Sequence, residues 1–293
     1  MQAAGVAYSV DMLTLRGSFQ PEVLDVDFVF PKKIAFLDAF CARMRAFCIS
    51  NEYDYEYFES FKFLTYRDAW ILKRLDGATV KFFFGFRGYD GSSATAWKIQ
   101  FNPNKVFPCD GLVNLILWIK SCSGDCRISA FDAAADLPGV KRSDVFMIKD
   151  RRKYQLVLLS AEDKTEYLGC RGQNGFCKLY NKQIESDLPD PLTRFELSVL
   201  LDDGTTVCDL DLLRKAIPPI YVFDGQLSFG SAVAASDLLL VRYCLEHPDG
   251  LLSVDHRKKA KLKNLIASLS APLDLDVMIW FQLYGFYRSL FYM

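Results

Sequence analysis

Tyr180 stands between two lysines, Lys178 and Lys182, in the run FCKLYNKQIE. A phenol ordinarily titrates near ~10. Cations two residues away on either side favour its ionised form and hold an anion such as a phosphate beside it. That is the setting of an oxygen nucleophile. The competing reading is a tyrosine that packs on a strand and uses its hydroxyl for a single hydrogen bond. Just upstream, Gly169, Gly172 and Gly175 flank a polar tip that carries Arg171.

A second run, RISAFDAAADLPG, alternates with the two-residue period of a strand. Ile128, Ala130, Asp132, Ala134 and Asp136 then share one face. Two carboxylates on an otherwise apolar strand are costly to bury unless they are paired or hold a cation. Rigidly placed hard oxygens suit Mg²⁺ or Mn²⁺. The plainer alternative has Asp136 capping a turn and Asp132 paired with an arginine. A third run, LTRFELSVL, sets Arg194, Glu196 and Ser198 on one face and Phe195, Leu197 and Val199 on the other. The first face is either a surface ion-pair ladder or the polar side of a strand inside a sheet.

These runs need a sheet to bring them together. Alternation predicts strands over 6–16, 70–74, 80–86, 97–101, 127–137, 154–160, 176–181 and 194–200. Asp76-Gly77 is a hairpin turn signal between the second and third of them. A helical period places Ile34, Leu37, Cys41, Met44 and Cys48 on one face, and 111–121 reads as a second helix. The tyrosine of TEYLG, Tyr167, is read as part of a turn, and NEYDYEYFES as an exposed edge or loop. The last third reads as helices over 236–246, 255–269 and 274–293. The expected fold is therefore α+β: a large antiparallel or mixed, curved sheet flanked by helices, with a helical C-terminal part. Pro218-Pro219 marks the change, giving a sheet-rich catalytic domain over 1–215 and a mostly helical region over 216–293. The stripe of Val277, Trp280, Phe281, Tyr284 and Phe291 reads as core or as a dimer interface.

Composition sets bounds on the reading. Of 293 residues, 51% are hydrophobic and 14% aromatic, enough for a sizeable core and against global disorder. The net charge of −1 gives no overall basic footprint, so any polyanion surface must be local. Lys141, Arg142, Lys149, Arg151, Arg152 and Lys153 form one basic segment, and 257–263 forms another. Nine cysteines without a secretory leader fit a reducing cytoplasm. Cys122, Cys126, Cys170 and Cys177 are spaced poorly for a zinc knuckle. The apolar run at 277–293 is interrupted by Gln282 and Arg288 and is shorter than the ~20 residues a membrane span needs.

The succession FDAAAD, TEYLGCRGQNGFCKLYNKQIE and TRFELSV, with VDMLTLRG near the start, resembles the trans-acting replication initiators of rolling-circle plasmids and phages. The resemblance covers roughly 5–200, and its ordered set of motifs is more specific than any one alone. It implies an enzyme that binds a replication origin, nicks one strand through a tyrosine and stays on the 5′ phosphate. The freed 3′ hydroxyl then primes synthesis. Carried over by position, Tyr180 is the nucleophile, with Lys182 and Glu185 beside it. Asp132, Glu196 and Asp136 are the implied ligands of Mg²⁺ or Mn²⁺. Arg171, Lys178, Arg194, Arg151, Arg152 and Lys153 are the expected DNA contacts, partly by motif and partly by basic density. Lys178 stands where arginine is commoner. The histidines, His247 and His256, form no paired metal motif, so oxygens must carry the site. Origin DNA is the expected partner, with a second copy of the chain and the host's helicase and polymerase as further ones. Two other readings share the residues: a conjugative relaxase, and a DNA-binding regulator that does not nick.

Overall fold

A computed structural model describes residues 6–20, 31–59, 66–86, 95–106, 110–147, 149–160, 163–201, 218, 220–222, 234–247, 250–269, 271–272 and 284–285. In chain order the elements are β1 (Ala7–Phe19), α1 (Pro31–Asn51), β2 (Tyr53–Glu59), β3 (Tyr66–Arg74), β4 (Thr79–Phe86) and β5 (Ala96–Phe101). There follow α2 (Pro103–Val106), α3 (Asp110–Ser121), β6 (Ser123–Pro138), β7 (Val145–Met147), β8 (Tyr154–Leu158) and β9 (Lys164–Leu168). The last are β10 (Phe176–Asn181), α4 (Lys182–Glu185), β11 (Leu192–Leu200), β12 (Ile220–Val222), α5 (Ala235–Glu246), α6 (His256–Leu269) and β13 (Ala271–Pro272).

Ten strands form one open sheet in the order β2-β3-β4-β5-β1-β6-β11-β10-β9-β8, and β13-β12-β7 form a second. The fold is α+β with a large antiparallel sheet, as the alternation predicts. The run NEYDYEYFES supplies β2, an edge strand of that sheet. TEYLG departs from the expected turn: residues 164–168 are a strand, and the turn begins at Gly169. No described helix is long and apolar enough to cross a membrane. The expected boundary at 215/216 and most of the helix expected at 274–293 lie outside the described residues.

The chain forms two compact units, and the division falls within β6 between Ala133 and Ala134. One unit holds residues 9–133, 199–209 and 279–293. Its core comes from alternate residues of β1, β4 and β5: Leu13, Leu15, Val80, Phe82, Ile99 and Phe101 are all fully buried. Helix α1 packs its apolar face there, with Phe40 4.8 Å from Phe84 and 5.1 Å from Trp70 between ring centroids. Removing so buried a ring, as in Phe40→Ala, costs about 3–5 kcal/mol. Phe36 stacks on Trp118 of α3 at 5.2 Å, which ties the two helices together on the same face. At Gly17 any side chain is excluded, because a Cβ would lie 2.2 Å from the Asp125 carbonyl oxygen and 2.5 Å from the Trp97 ring.

The other unit holds residues 1–8, 134–198 and 210–278. Helices α5 and α6 bury Val241, Cys244, Leu262 and Ile266 against Phe146 of β7. A buried ion pair anchors the entry to β7. Arg142 donates to Glu166 Oε1 at 2.7 Å and to the Val145 carbonyl at 3.1 Å. The two side chains are 2% and 5% exposed, so a lone survivor of the pair would be stranded in a medium of low polarity.

Candidate active site

The site grows from one antiparallel ladder. β10 and β11 pair with Lys178 opposite Glu196 and Tyr180 opposite Arg194. Alternation turns Cys177, Leu179, Phe195 and Leu197 into the core and leaves the other face to the polar groups. The Tyr180 hydroxyl reaches diagonally across the ladder and donates to Glu196 Oε1 at 2.7 Å. Lys178 Nζ lies 3.5 Å from the centre of the Tyr180 ring, and Lys182 Nζ 5.8 Å.

The turn that feeds β10 is held from several sides. Gly169 adopts a φ of +96°, and a Cβ there would lie 3.3 Å from Phe176 Cα and the Gly175 oxygen. Its amide donates to the Lys153 carbonyl at 2.8 Å, and the Gly175 amide donates to Ser198 at 2.9 Å. At the other end of β10, Asn181 caps the short α4 by accepting from the Ile184 amide at 3.2 Å. That cap sets Glu185 of α4 against Lys182, and against Lys178 at 3.5 Å. Burial alone would raise the Glu185 carboxyl, but Lys182 and Lys178 outweigh it and hold the group below its usual value.

The lysines do not ionise the phenol. Tyr180 is buried, and burial is the largest reason its pKa is pushed far above the ordinary value. The hydrogen bond to Glu196 and the charges of Glu196 and Glu185 add to that rise, and Arg194 opposes it weakly. Residue spacing put two cations beside the hydroxyl. In the fold the ammonium groups lie over the ring and pair with Glu185, while the nearest charge to the oxygen itself is a carboxylate. Tyr180 is a protonated phenol with a built-in acceptor for its proton.

The implied metal ligands have other partners. Arg194 makes a bidentate contact with Asp136, Nε to Oδ1 at 2.6 Å and the second nitrogen to Oδ2 at 2.5 Å. Its third nitrogen stands 3.9 Å from Glu196 Oε1. Asp132 lies half-buried four residues earlier on β6, in the other compact unit. Among the described residues no three His, Cys, Asp or Glu side chains gather closely enough to hold a metal ion. With Asp136 spent on a guanidinium and Glu196 on a hydroxyl, this arrangement does not fit Mg²⁺ or Mn²⁺. Burial pushes the Cys126 and Cys177 thiols up to about 12.

The expected DNA contacts divide by environment. Arg171, Arg151 and Lys153 are exposed. Arg152 is tied into the protein: it chelates Asp150 and donates to the Gly175 carbonyl at 2.6 Å. Arg142, from the same basic segment, is buried against Glu166. Lys149 sits 3.1 Å from the centre of the Tyr154 ring. In the second basic segment Lys261 pairs with Asp237 at 2.6 Å. Tyr167, the nearest other tyrosine along the chain, stacks on Phe176 at 5.8 Å. Sequence patterning missed the direct Tyr180–Glu196 bond, whose one legible sign was that both residues fall on the polar faces of neighbouring strands.

No protein-family model matches the chain, and no curated protein does. Among solved structures, the chain is distantly similar to one described as the rolling circle replication initiator protein from Geobacillus stearothermophilus. The TM-score is 0.39 and the identity 12%, over 78% of this chain and 90% of that one. At that distance every residue assignment rests on the geometry of this chain.

Proposed function

We propose that the chain initiates rolling-circle replication by nicking and rejoining one DNA strand, with Tyr180 as the nucleophile. The observation that carries this reading is the 2.7 Å hydrogen bond from the Tyr180 hydroxyl to Glu196, beneath Lys178. Because the phenol is protonated, attack needs a base rather than a preformed phenolate, and Glu196 is within the reach that general-base catalysis requires. Lys178 and Lys182 exchange Glu185 for the phosphate and offset the charge that builds on its oxygens. The Tyr180 Oη–P bond forms as the bond from phosphorus to the 3′ oxygen breaks. The phenolic proton passes to Glu196, and the departing 3′ oxygen takes up a proton. The tyrosyl phosphodiester keeps the energy of the broken link, so the same 3′ hydroxyl can reverse the step without a nucleotide cofactor.

A second reading is favoured by the Arg194–Asp136 contact, which withdraws a carboxylate from chemistry. On that reading the chain is a DNA-binding regulator that does not nick. Incubation with circular DNA of its own replicon, with Mg²⁺ or Mn²⁺ supplied, separates the two. Nicking predicts a protein–DNA adduct on a denaturing gel, mapped by peptide sequencing to Tyr180 and absent in Tyr180→Phe. An adduct on Tyr167, or nicking by Tyr180→Phe, would falsify the assignment. Binding with no adduct under any condition would establish the regulator.

A further inference from the structure

The sheet face of the first unit opposite to Trp97, Ile99 and Phe101 carries three cations in register. Arg16 of β1 is directly opposite Lys98 of β5, and Lys98 is opposite Phe83 of β4. Lys81 lies two residues from Phe83 on the same face, opposite Gln100. Adjacent strands are ~4.8 Å apart, so the three side chains rise from a strip about 10 Å wide. Trp97, Ile99 and Phe101 alternate with Lys98 and Gln100 and point into the core on the other side.

Cations on a sheet are ordinarily matched by acids across the strands. Here, among the described residues, none of Arg16, Lys81 and Lys98 has a carboxylate within ion-pair distance. Lys98 is instead held by aromatic faces, its Nζ 4.5 Å from the centre of Phe83 and 5.4 Å from that of Tyr66. Lys73 and Lys261, by contrast, pair with Glu56 and Asp237.

We infer that Arg16, Lys81 and Lys98 form a binding strip for the phosphodiester backbone of a DNA strand. The inference rests on the DNA reading above only in naming the polyanion. One strand of DNA advances one phosphate per ~3.4 Å of axis, so a strip of this width spans about three phosphates. Tyr66 and Phe83 are buried beneath Lys98 and offer no free ring for a base to stack on. The contact is therefore to phosphates and indifferent to base sequence. Unpartnered charge also burdens the free protein. Burial, then Arg16, then Lys81 pull the Lys98 ammonium down to about 8, and an anion laid across the strip reverses that.

The test uses the full chain carrying Tyr180→Phe, so that binding is read without an adduct. Anisotropy of labelled dT and dA oligonucleotides is followed against salt, with and without Arg16→Gln, Lys81→Gln and Lys98→Gln. Each lost contact should lower the slope of log affinity against log salt by ~0.7, the triple variant by about 2. Over the decade from 1 M down to 0.1 M salt the wild type should therefore gain roughly a hundredfold more affinity than the triple variant, equally for dT and dA. Lys98→Arg should restore the slope. Circular dichroism checks folding, and exposed Arg16→Gln provides a reading even if Lys98→Gln folds poorly.

An unchanged slope in Arg16→Gln and Lys81→Gln, or no oligonucleotide binding at all, overturns the strip. So does displacement of the oligonucleotide by low millimolar inorganic phosphate only when the three cations are present, which would mark a small-anion site. Loss of the adduct with the salt slope intact overturns the nicking assignment and leaves the strip standing.

Discussion

Tyr180 and Glu196 are not opposite each other on the β10–β11 ladder; they meet on its diagonal, at 2.7 Å, because Arg194 and Lys178 occupy the direct positions. A directly opposed pair would be set by the ladder alone. A diagonal one depends on where both neighbours lie, and here Arg194 is drawn to Asp136 while Lys178 rests over the ring.

If Glu196 takes the phenolic proton, Glu196→Gln should slow nicking by about 10²–10⁴-fold while DNA affinity in the binding assay is unchanged. The same hydrogen bond has a spectroscopic consequence. An ordinary phenol ionises near ~10, whereas burial and then Glu196 hold Tyr180 protonated well above that. The difference between wild type and Tyr180→Phe should show no phenolate absorbance at pH 10.5, and Glu196→Gln should move the titration down. The stability sign follows. The folded state retains a proton that the unfolded chain loses, so this contribution is complete below ~10 and declines as pH rises further. Equal alkaline titration of Tyr180 with and without Glu196 would remove Glu196 from the proton path.

The Arg194–Asp136 contact is bidentate and charge-assisted, with side chains 16% and 19% exposed. Asp136→Ala or Arg194→Ala should each destabilise by about 1–3 kcal/mol, and the double variant should cost less than their sum. Arg194→Gln also releases a carboxylate, so Mn²⁺ titrated calorimetrically should bind that variant more tightly than wild type. Equal affinity would mean that freeing Asp136 does not improve metal binding.

Arg152 and its neighbours should behave differently although they share one basic run. Arg152 holds Asp150 and the Gly175 carbonyl, so Arg152→Ala should lower thermal stability by about 1–3 kcal/mol through the turn that precedes β10. Arg151→Gln and Lys153→Gln, both exposed, should leave melting unchanged and lower the salt slope of DNA binding by about one each. The reverse pattern in melts and binding isotherms would place Arg152 on the DNA.

Lys98 should trade stability for binding. Its ammonium is depressed to about 8 from an ordinary ~10.4 by burial and by Arg16 and Lys81; among the described residues, the uncharged Tyr66 and Phe83 rings also lie beside it. Between pH 8 and ~10.4 the unfolded chain binds more protons than the folded one at this position. Stability contributed by Lys98 therefore rises with pH across that window. Below 8 the full burden is present, and Lys98→Gln should remove it. The melting difference between wild type and Lys98→Gln should favour the variant at pH 7 and shrink toward pH 10. A difference independent of pH would mean the ammonium is solvated.

Alternation along the chain was enough to place β1, β10 and β11, to turn Phe195 and Leu197 inward and Arg194 and Glu196 outward, and to find the Asp76-Gly77 hairpin. It succeeds there because a two-residue period is a local property of a strand that buries one face. The amphipathic period of 34–48 likewise gave α1. Who meets whom across the sheet is different, since it depends on register and strand order, which join residues far apart in sequence. Sequence could set Asp136 and Glu196 together as acids for a metal ion. Only the pairing of β10 with β11 put Glu196 on the Tyr180 hydroxyl, and only the approach of Arg194 to Asp136 showed that carboxylate already neutralised. Arg142 and Arg152 read as surface charge in a basic run, yet tertiary contacts bury one and bind the other to a turn. Conversely Arg16, Lys81 and Lys98 read as isolated charges in sequence, because it is the pairing of β1 with β5, far apart in the chain, that brings Arg16 beside the other two.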